Sequence, residues 1–176
     1  MGSEMCIRDR PEGRAHFGYV FDGSKFYVIG GIDNGGVPRK EIYSYDPGTN
    51  SWSKETVGLP KGIAYASAVI VGSNIYLIGG LDENGDIIGD VYLIDIAGGS
   101  VAQKASMNHP RQNHACAELG GKIYCFGGDD GSQPMKNVEM YDPNTDTWTD
   151  LGSIMPEALS GLAAVKYNGK ILIIGG

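Results

Sequence analysis

The stretch KFYVIGG (25–31) returns three times along the chain, as NIYLIGG (74–80), KIYCFGG (122–128) and KILIIGG (170–176). Each copy is a short run rich in β-branched and aromatic residues that stops at two glycines, a pattern that fits a buried strand and is too brief for a helix. The Gly-Gly pairs at 30–31, 79–80, 127–128 and 175–176 are spaced 49, 48 and 48 residues apart, and a fixed period of that size marks a tandem array. Working backwards from each run, a second apolar segment precedes it across Gly23-Ser24, Gly72-Ser73, Gly120-Gly121 or Asn168-Gly169. These pairs can take the positive φ that tight hairpin turns demand.

Working forwards, each of the first three doublets leads through a polar loop to a third strand: EIYSYDP (41–47), DVYLIDI (90–96) and NVEMYDP (137–143). In the first and third copies Tyr45 and Tyr141 stand seven residues before Trp52 and Trp148, as an Asp-Pro turn into a fourth strand would place them. The middle copy carries Ile94, Asp95, Ile96 and Val101 in that register, without the Tyr, Pro or Trp. Four strands per repeat make an antiparallel sheet with two apolar faces and no helix to cover them, so each unit must stack on its neighbours. Stacking around an axis gives a β-propeller, which leaves only short, protected sheet edges.

These residues resemble the Kelch repeat, whose marks are the Gly-Gly doublet, the spaced Tyr and Trp, and a period of roughly fifty. The resemblance covers about residues 14–176. It implies an all-β, Kelch-type β-propeller fragment of about three and a half four-stranded antiparallel blades: 14–58, a degenerate 62–107, 110–155 and a half blade at 159–176. Residues 1–10 include MCIRDR, which is similar to a translated sequencing adapter, and are expected to be a foreign or disordered leader. The remaining blades of a parent protein are then expected partners of this array.

Composition narrows the function classes. Glycine makes up 28 of 176 residues, roughly twice the usual share, without a collagen period and with too many strand formers for a disordered linker. Fourteen basic against twenty-one acidic residues give a net charge of −7, which argues against nucleic acid as a partner. The apolar stretch 63–81 is broken by Ser67 and Gly72-Ser73-Asn74 and reads as a hairpin rather than a membrane span. Three cysteines are too few for a disulfide framework, which favours a cytoplasmic location and reduced thiols at Cys116 and Cys125. Those two lie opposite each other across the Gly120-Gly121 turn, so a cross-strand disulfide is the alternative.

Several residues invite chemical readings that the pattern does not support. The glycine doublets lack the Lys-Ser/Thr of a phosphate cradle, and the repeat position of Tyr45, Trp52, Tyr141 and Trp148 points to packing between blades rather than a sugar platform. His109, His114 and Cys116 offer no fourth zinc ligand. The loop Asp82-Glu83-Asn84-Gly85-Asp86 has Leu93 where a calcium loop needs its twelfth-position Glu. No nucleophile and base can be paired by spacing, so no catalytic residue, metal or cofactor is expected. The resemblance also admits an alternative, a fragment of a galactose oxidase-like or sialic-acid mutarotase-like enzyme of Kelch type.

Function is therefore expected in loops displayed by a rigid scaffold. One set leads into each first strand and the other follows each doublet, both at the same end of the array. The segment Met107–Ala115 is similar to the Kelch-like ubiquitin-ligase adaptors, in which the two residues after the Arg face a partner. That resemblance implies a protein or peptide partner contacted by His16, Tyr65, Gln112, Asn113 and Ser160, joined by Asn34, Asp129 and Asp130 from the second loop set. Arg14 and Arg111 could equally brace loop carbonyls.

Overall fold

The computed structural model describes residues 11–176; the leader expected over 1–10 lies outside the described residues. Among those described there is no helix, and hence none long and apolar enough to cross a membrane. The first sheet is β1 (Gly18–Phe21), β2 (Phe26–Ile29), β3 (Glu41–Asp46) and β4 (Ser51–Gly58), antiparallel and in sequence order. The second places β6 (Ser67–Val71) beside β7 (Asn74–Asp82), then β8 (Ile87–Asp95) and β9 (Ser100–Lys104), with the short β5 (Ile63–Ala64) on the far end of β7. The third is β10 (Ala115–Leu119), β11 (Lys122–Phe126), β12 (Val138–Asp142) and β13 (Thr147–Asp150). A last hairpin, β14 (Leu162–Tyr167) and β15 (Lys170–Gly175), follows them. The sheets stack with their first strands together, β1 on β6, β6 on β10 and β10 on β14.

The doublets explain themselves in this arrangement. The second glycine of each pair donates its N–H to a carbonyl in the following sheet: Gly31 to Ile63, Gly80 to Arg111 and Gly128 to Leu159, each at 2.8 Å. The first glycine has positive φ, and a Cβ on Gly79 would meet the Arg111 carbonyl oxygen at 2.7 Å, so this contact requires the close backbone approach that only glycine allows. Interleaved apolar side chains fill the space between sheets. Ile29, Ile42, Ile63, Leu77 and Ile94 pack the first interface, and Val69, Ile78, Val91, Ile123 and Tyr141 the second.

The tyrosine and tryptophan spacing comes from one turn. Tyr45 pairs with Trp52 and Tyr141 with Trp148 across β3–β4 and β12–β13. Each tyrosine hydroxyl donates to the side chain of the left-handed residue in the turn, Asn50 at 2.8 Å and Asp146 at 2.6 Å. The middle copy has Ile94 and no hydroxyl, and Gly99 takes the left-handed position instead. Trp148 reaches across to the second sheet, donating from Nε1 to the Ala105 carbonyl at 2.8 Å.

Two expectations need correction. Cys116 and Cys125, expected as reduced thiols, are joined by a disulfide; they are directly opposed in β10 and β11, and facing side chains in a pair without mutual backbone hydrogen bonds come close enough to bond. The loop expected over 81–89 is mostly strand, because Leu81 and Gly80 pair with Ile87 and Ile88 and extend the hairpin. Its tip is closed by Asp82, which accepts from the backbone N–H groups of Asn84 and Asp86 and from Lys61. At the two ends of the array Tyr19, Phe21 and Phe26, and Val165, Leu172 and Ile174, remain exposed on the outer sheet faces.

Candidate functional site

The loops that lead into the four first strands share one backbone conformation. His16, Tyr65, Asn113 and Gly161 all have φ between 53° and 73°. Their peptide groups form a chain around the axis: Tyr65 N–H donates to His16 C=O (2.8 Å), Asn113 to Tyr65 (3.0 Å) and Gly161 to Asn113 (2.9 Å). These positions therefore stitch neighbouring sheets together, a role that side-chain chemistry gives no hint of; the 49, 48, 48 spacing of the repeat was the only signal that could have found it.

Side chains on this rim gather into two groups. Asp129 is the hub of the first. Gln112 Nε2 donates to its Oδ1 at 2.9 Å, and Asn113 Nδ2 (3.0 Å) and Ser160 Oγ (2.7 Å) donate to its Oδ2, so a carboxylate after one doublet holds the leading loops of two sheets. Burial acts to raise the Asp129 pKa, but the bonds from Asn113, Ser160 and Gln112 and from the Gly131 backbone outweigh it and hold the carboxyl below its ordinary value. The second group is His16 and Tyr65, stacked with ring centroids 4.2 Å apart. His16 is exposed, whereas Tyr65 is half-buried beneath it. Asn34 and Asp130 are exposed and stand apart: Asn34 lies against Gly13, and Asp130 accepts from Ser132 and Gln133 within its own loop. Of the eight expected positions, the structure thus links Gln112, Asn113, Asp129 and Ser160 through side chains and His16 and Tyr65 through a stack, and leaves Asn34 and Asp130 outside both groups.

Below the rim the arginines are braces. Arg111 is fully buried; its guanidinium donates to the carbonyls of His109, Gly127 and Asn137 and pairs with the buried Glu139 at 2.6 Å. Glu139 also accepts from the backbone N–H groups of Asn108 and His109, which leaves the pair well satisfied. Arg14 pairs with Glu41 and Glu12 in the first sheet. In the second, Ile63 occupies the arginine position, and Lys61 supplies a cation that bridges Asp82 and Asp90.

A solvent-open cleft of about 280 Å³ runs between the first strands, lined by Phe17, Ala66, Ser67, His114, Cys116 and Leu162 among others. His114 is buried and held neutral, its pKa pushed down to about 3 by burial and by the nearby Arg111 charge.

Comparison with known proteins fits this geometry. The family model of the KLHDC2/KLHL20/DRC7 Kelch-repeats domain matches residues 3–176. An F-box/kelch-repeat protein of Arabidopsis thaliana is 37% identical over 89 residues, 49% of this chain and 23% of that protein. Kelch-like protein 6 of Homo sapiens is 39% identical over 70 residues, 40% of this chain and 11% of its own length. Beta-scruin of Limulus polyphemus is 39% identical over 75 residues, 42% of this chain and 8% of that protein. The matched part is less than a quarter of each of these relatives. Among solved structures, YjhT superposes with a TM-score of 0.78 at 18% identity, over 91% of this chain and 58% of that one, a likeness of fold.

Proposed function

Because the chain belongs to the KLHDC2/KLHL20/DRC7 Kelch-repeats domain family, we propose that it binds a partner protein or peptide on the rim built by its leading loops. The observation that carries this reading is the pairing of the polar Asp129 network with the aromatic His16–Tyr65 stack, both set on one chain of backbone hydrogen bonds. A rim ordered before binding loses little entropy when a partner docks. An aromatic held by its neighbours supplies contact area of the kind that dominates binding energy. In a protein built like its Kelch-like and F-box/kelch-repeat relatives, this rim would be the substrate-receptor end of a ubiquitin-ligase adaptor.

The test is selection of peptides from a displayed library on the full chain, followed by affinity measurement on variants. Tyr65→Ala should weaken the selected peptides by more than about 1 kcal/mol, roughly fivefold, with the melting temperature nearly unchanged. Ser73→Arg, in the hairpin at the opposite end, should leave affinity as it was. Peptides insensitive to Tyr65→Ala and Asp129→Ala but lost with Ser73→Arg would place binding on the other end and overturn the proposal.

A further inference from the structure

His114, Cys116 and Cys125 bring one imidazole nitrogen and two sulfurs within 4.8 Å of one another, all three buried. The repeat does not require these residue types. The positions equivalent to His114 hold Phe17, Ala66 and Leu162; those equivalent to Cys116 hold Tyr19, Ala68 and Ala164; and those opposite them, equivalent to Cys125, hold Val28, Leu77 and Ile173. None of the other three sheets has a His or Cys at any of the three positions, and only the third puts a metal-ligating set there. A second, independent observation points the same way. Both ring nitrogens of His114 are buried without a close, well-aligned hydrogen-bond partner, the Ile78 backbone offering the ring only a weak hydrogen bond. A buried imidazole in that condition is costly unless something takes up its lone pair.

We propose that in the reduced protein His114, Cys116 and Cys125 bind a zinc ion, and that the Cys116–Cys125 disulfide is the oxidised, metal-free state of the same site. Two thiolates and a neutral imidazole balance the charge of Zn²⁺, so a buried site becomes neutral on loading, and two Cys with one His and an open fourth position is an established zinc geometry. The fourth position opens to the cleft that His114 and Cys116 line, where solvent water can complete the tetrahedron. His109, which the sequence suggested as a companion ligand, is turned instead to Glu139 at 3.3 Å; Cys125, on the facing strand, takes its place. The chemistry balances with a dithiol reductant. It gives two electrons and two protons to the S–S bond and leaves as its own disulfide; the two thiols then lose their protons to solvent as they ligate the ion, and χ1 rotation parts the sulfurs to ligand distance. In the reverse direction a disulfide oxidant takes two electrons from the thiolates and two protons from solvent, leaves as its dithiol, and the re-formed Cys116–Cys125 bond releases Zn²⁺.

The experiment compares oxidised and reduced forms of the whole chain carrying Cys6→Ser, so that the only thiols are the two in question. Co²⁺ is the spectroscopic probe and Zn²⁺ the competitor. The reduced form should take up a single Co²⁺ with thiolate-to-metal charge-transfer absorption, lose it to Zn²⁺, and melt at a higher temperature with Zn²⁺ than without. The oxidised form keeps every side chain and should show no charge-transfer band. His114→Ala and Cys125→Ser should each weaken binding at least about tenfold. Equal Co²⁺ uptake by both redox forms, no charge-transfer band in the reduced form, or undiminished affinity in Cys125→Ser would overturn the assignment.

Discussion

The second and third sheets share the backbone of their leading loops and first strands and carry opposite chemistry beneath it. At the position where the third buries Arg111 against Glu139, the second buries Ile63, and where Glu139 stands the second has Tyr92. Where the third has Tyr141 and Trp148, the second has Ile94 and Val101. Yet Ile63 and Arg111 do the same backbone work, each offering its carbonyl to the glycine doublet of the preceding sheet at 2.8 Å. The stitching between sheets is a main-chain property, so the side-chain layer beneath it is free to be ionic or apolar.

The sharpest way to break this comparison is to strand one charge. Glu139→Ala leaves Arg111 buried without its carboxylate and should cost about 3–5 kcal/mol, read by urea denaturation. Converting the third sheet to the pattern of the second, with Arg111→Ile and Glu139→Tyr together, should recover most of that loss, because a buried ion pair exchanged for packed apolar groups is often neutral. A double variant no more stable than Glu139→Ala would show that the two layers are not interchangeable.

Trp148→Ala should cost about 3 kcal/mol, near the low end for a buried aromatic because the indole is only half-buried. Trp148→Phe keeps most of the packing and loses the bond to the Ala105 carbonyl, so it should cost about 1 kcal/mol. Two glycine variants separate backbone strain from crowding. Gly85→Ala meets only the positive-φ penalty of about 1 kcal/mol, since nothing lies within 4 Å. Gly79→Ala adds collision with the Arg111 carbonyl and should cost at least about twice as much in thermal melts.

The smallest expected effect is on pH. The Asp129 carboxyl has a folded pKa below its ordinary 3.8, so the unfolded chain binds its proton first on acidification. Its contribution is full above that ordinary value and is lost as pH falls through the lower folded value. Asp129→Asn should flatten the acid limb of stability slightly, and protection of the Asn113 and Gly161 amides in hydrogen exchange should fall with it.

Much of this was legible from residue order. Period, hairpin turns and the Tyr–Trp pairs follow from patterns that act locally, because a primed turn or a pleated strand depends on residues near each other in the chain. The brace at Arg111 was recognisable as an option, but its partner Glu139, 28 residues away, was not singled out, since register across a loop of variable length cannot be counted. Tyr65 reads in the sequence only as one of the partner-contacting loop residues. In the structure it is half-buried and stacked on His16, a residue 49 positions earlier that only stacking of the first two sheets brings to it.

The sequence by itself determined that this chain is a tandem array of four-stranded β units and where its hairpin turns fall, because glycine placement and apolar alternation act through short-range backbone geometry. Only the tertiary structure decided which of the displayed loop residues act together and that Cys116, Cys125 and His114 share one buried site. Those relations are set by the distance between sheets and by the closeness of opposed side chains, quantities that exist only once the sheets have stacked.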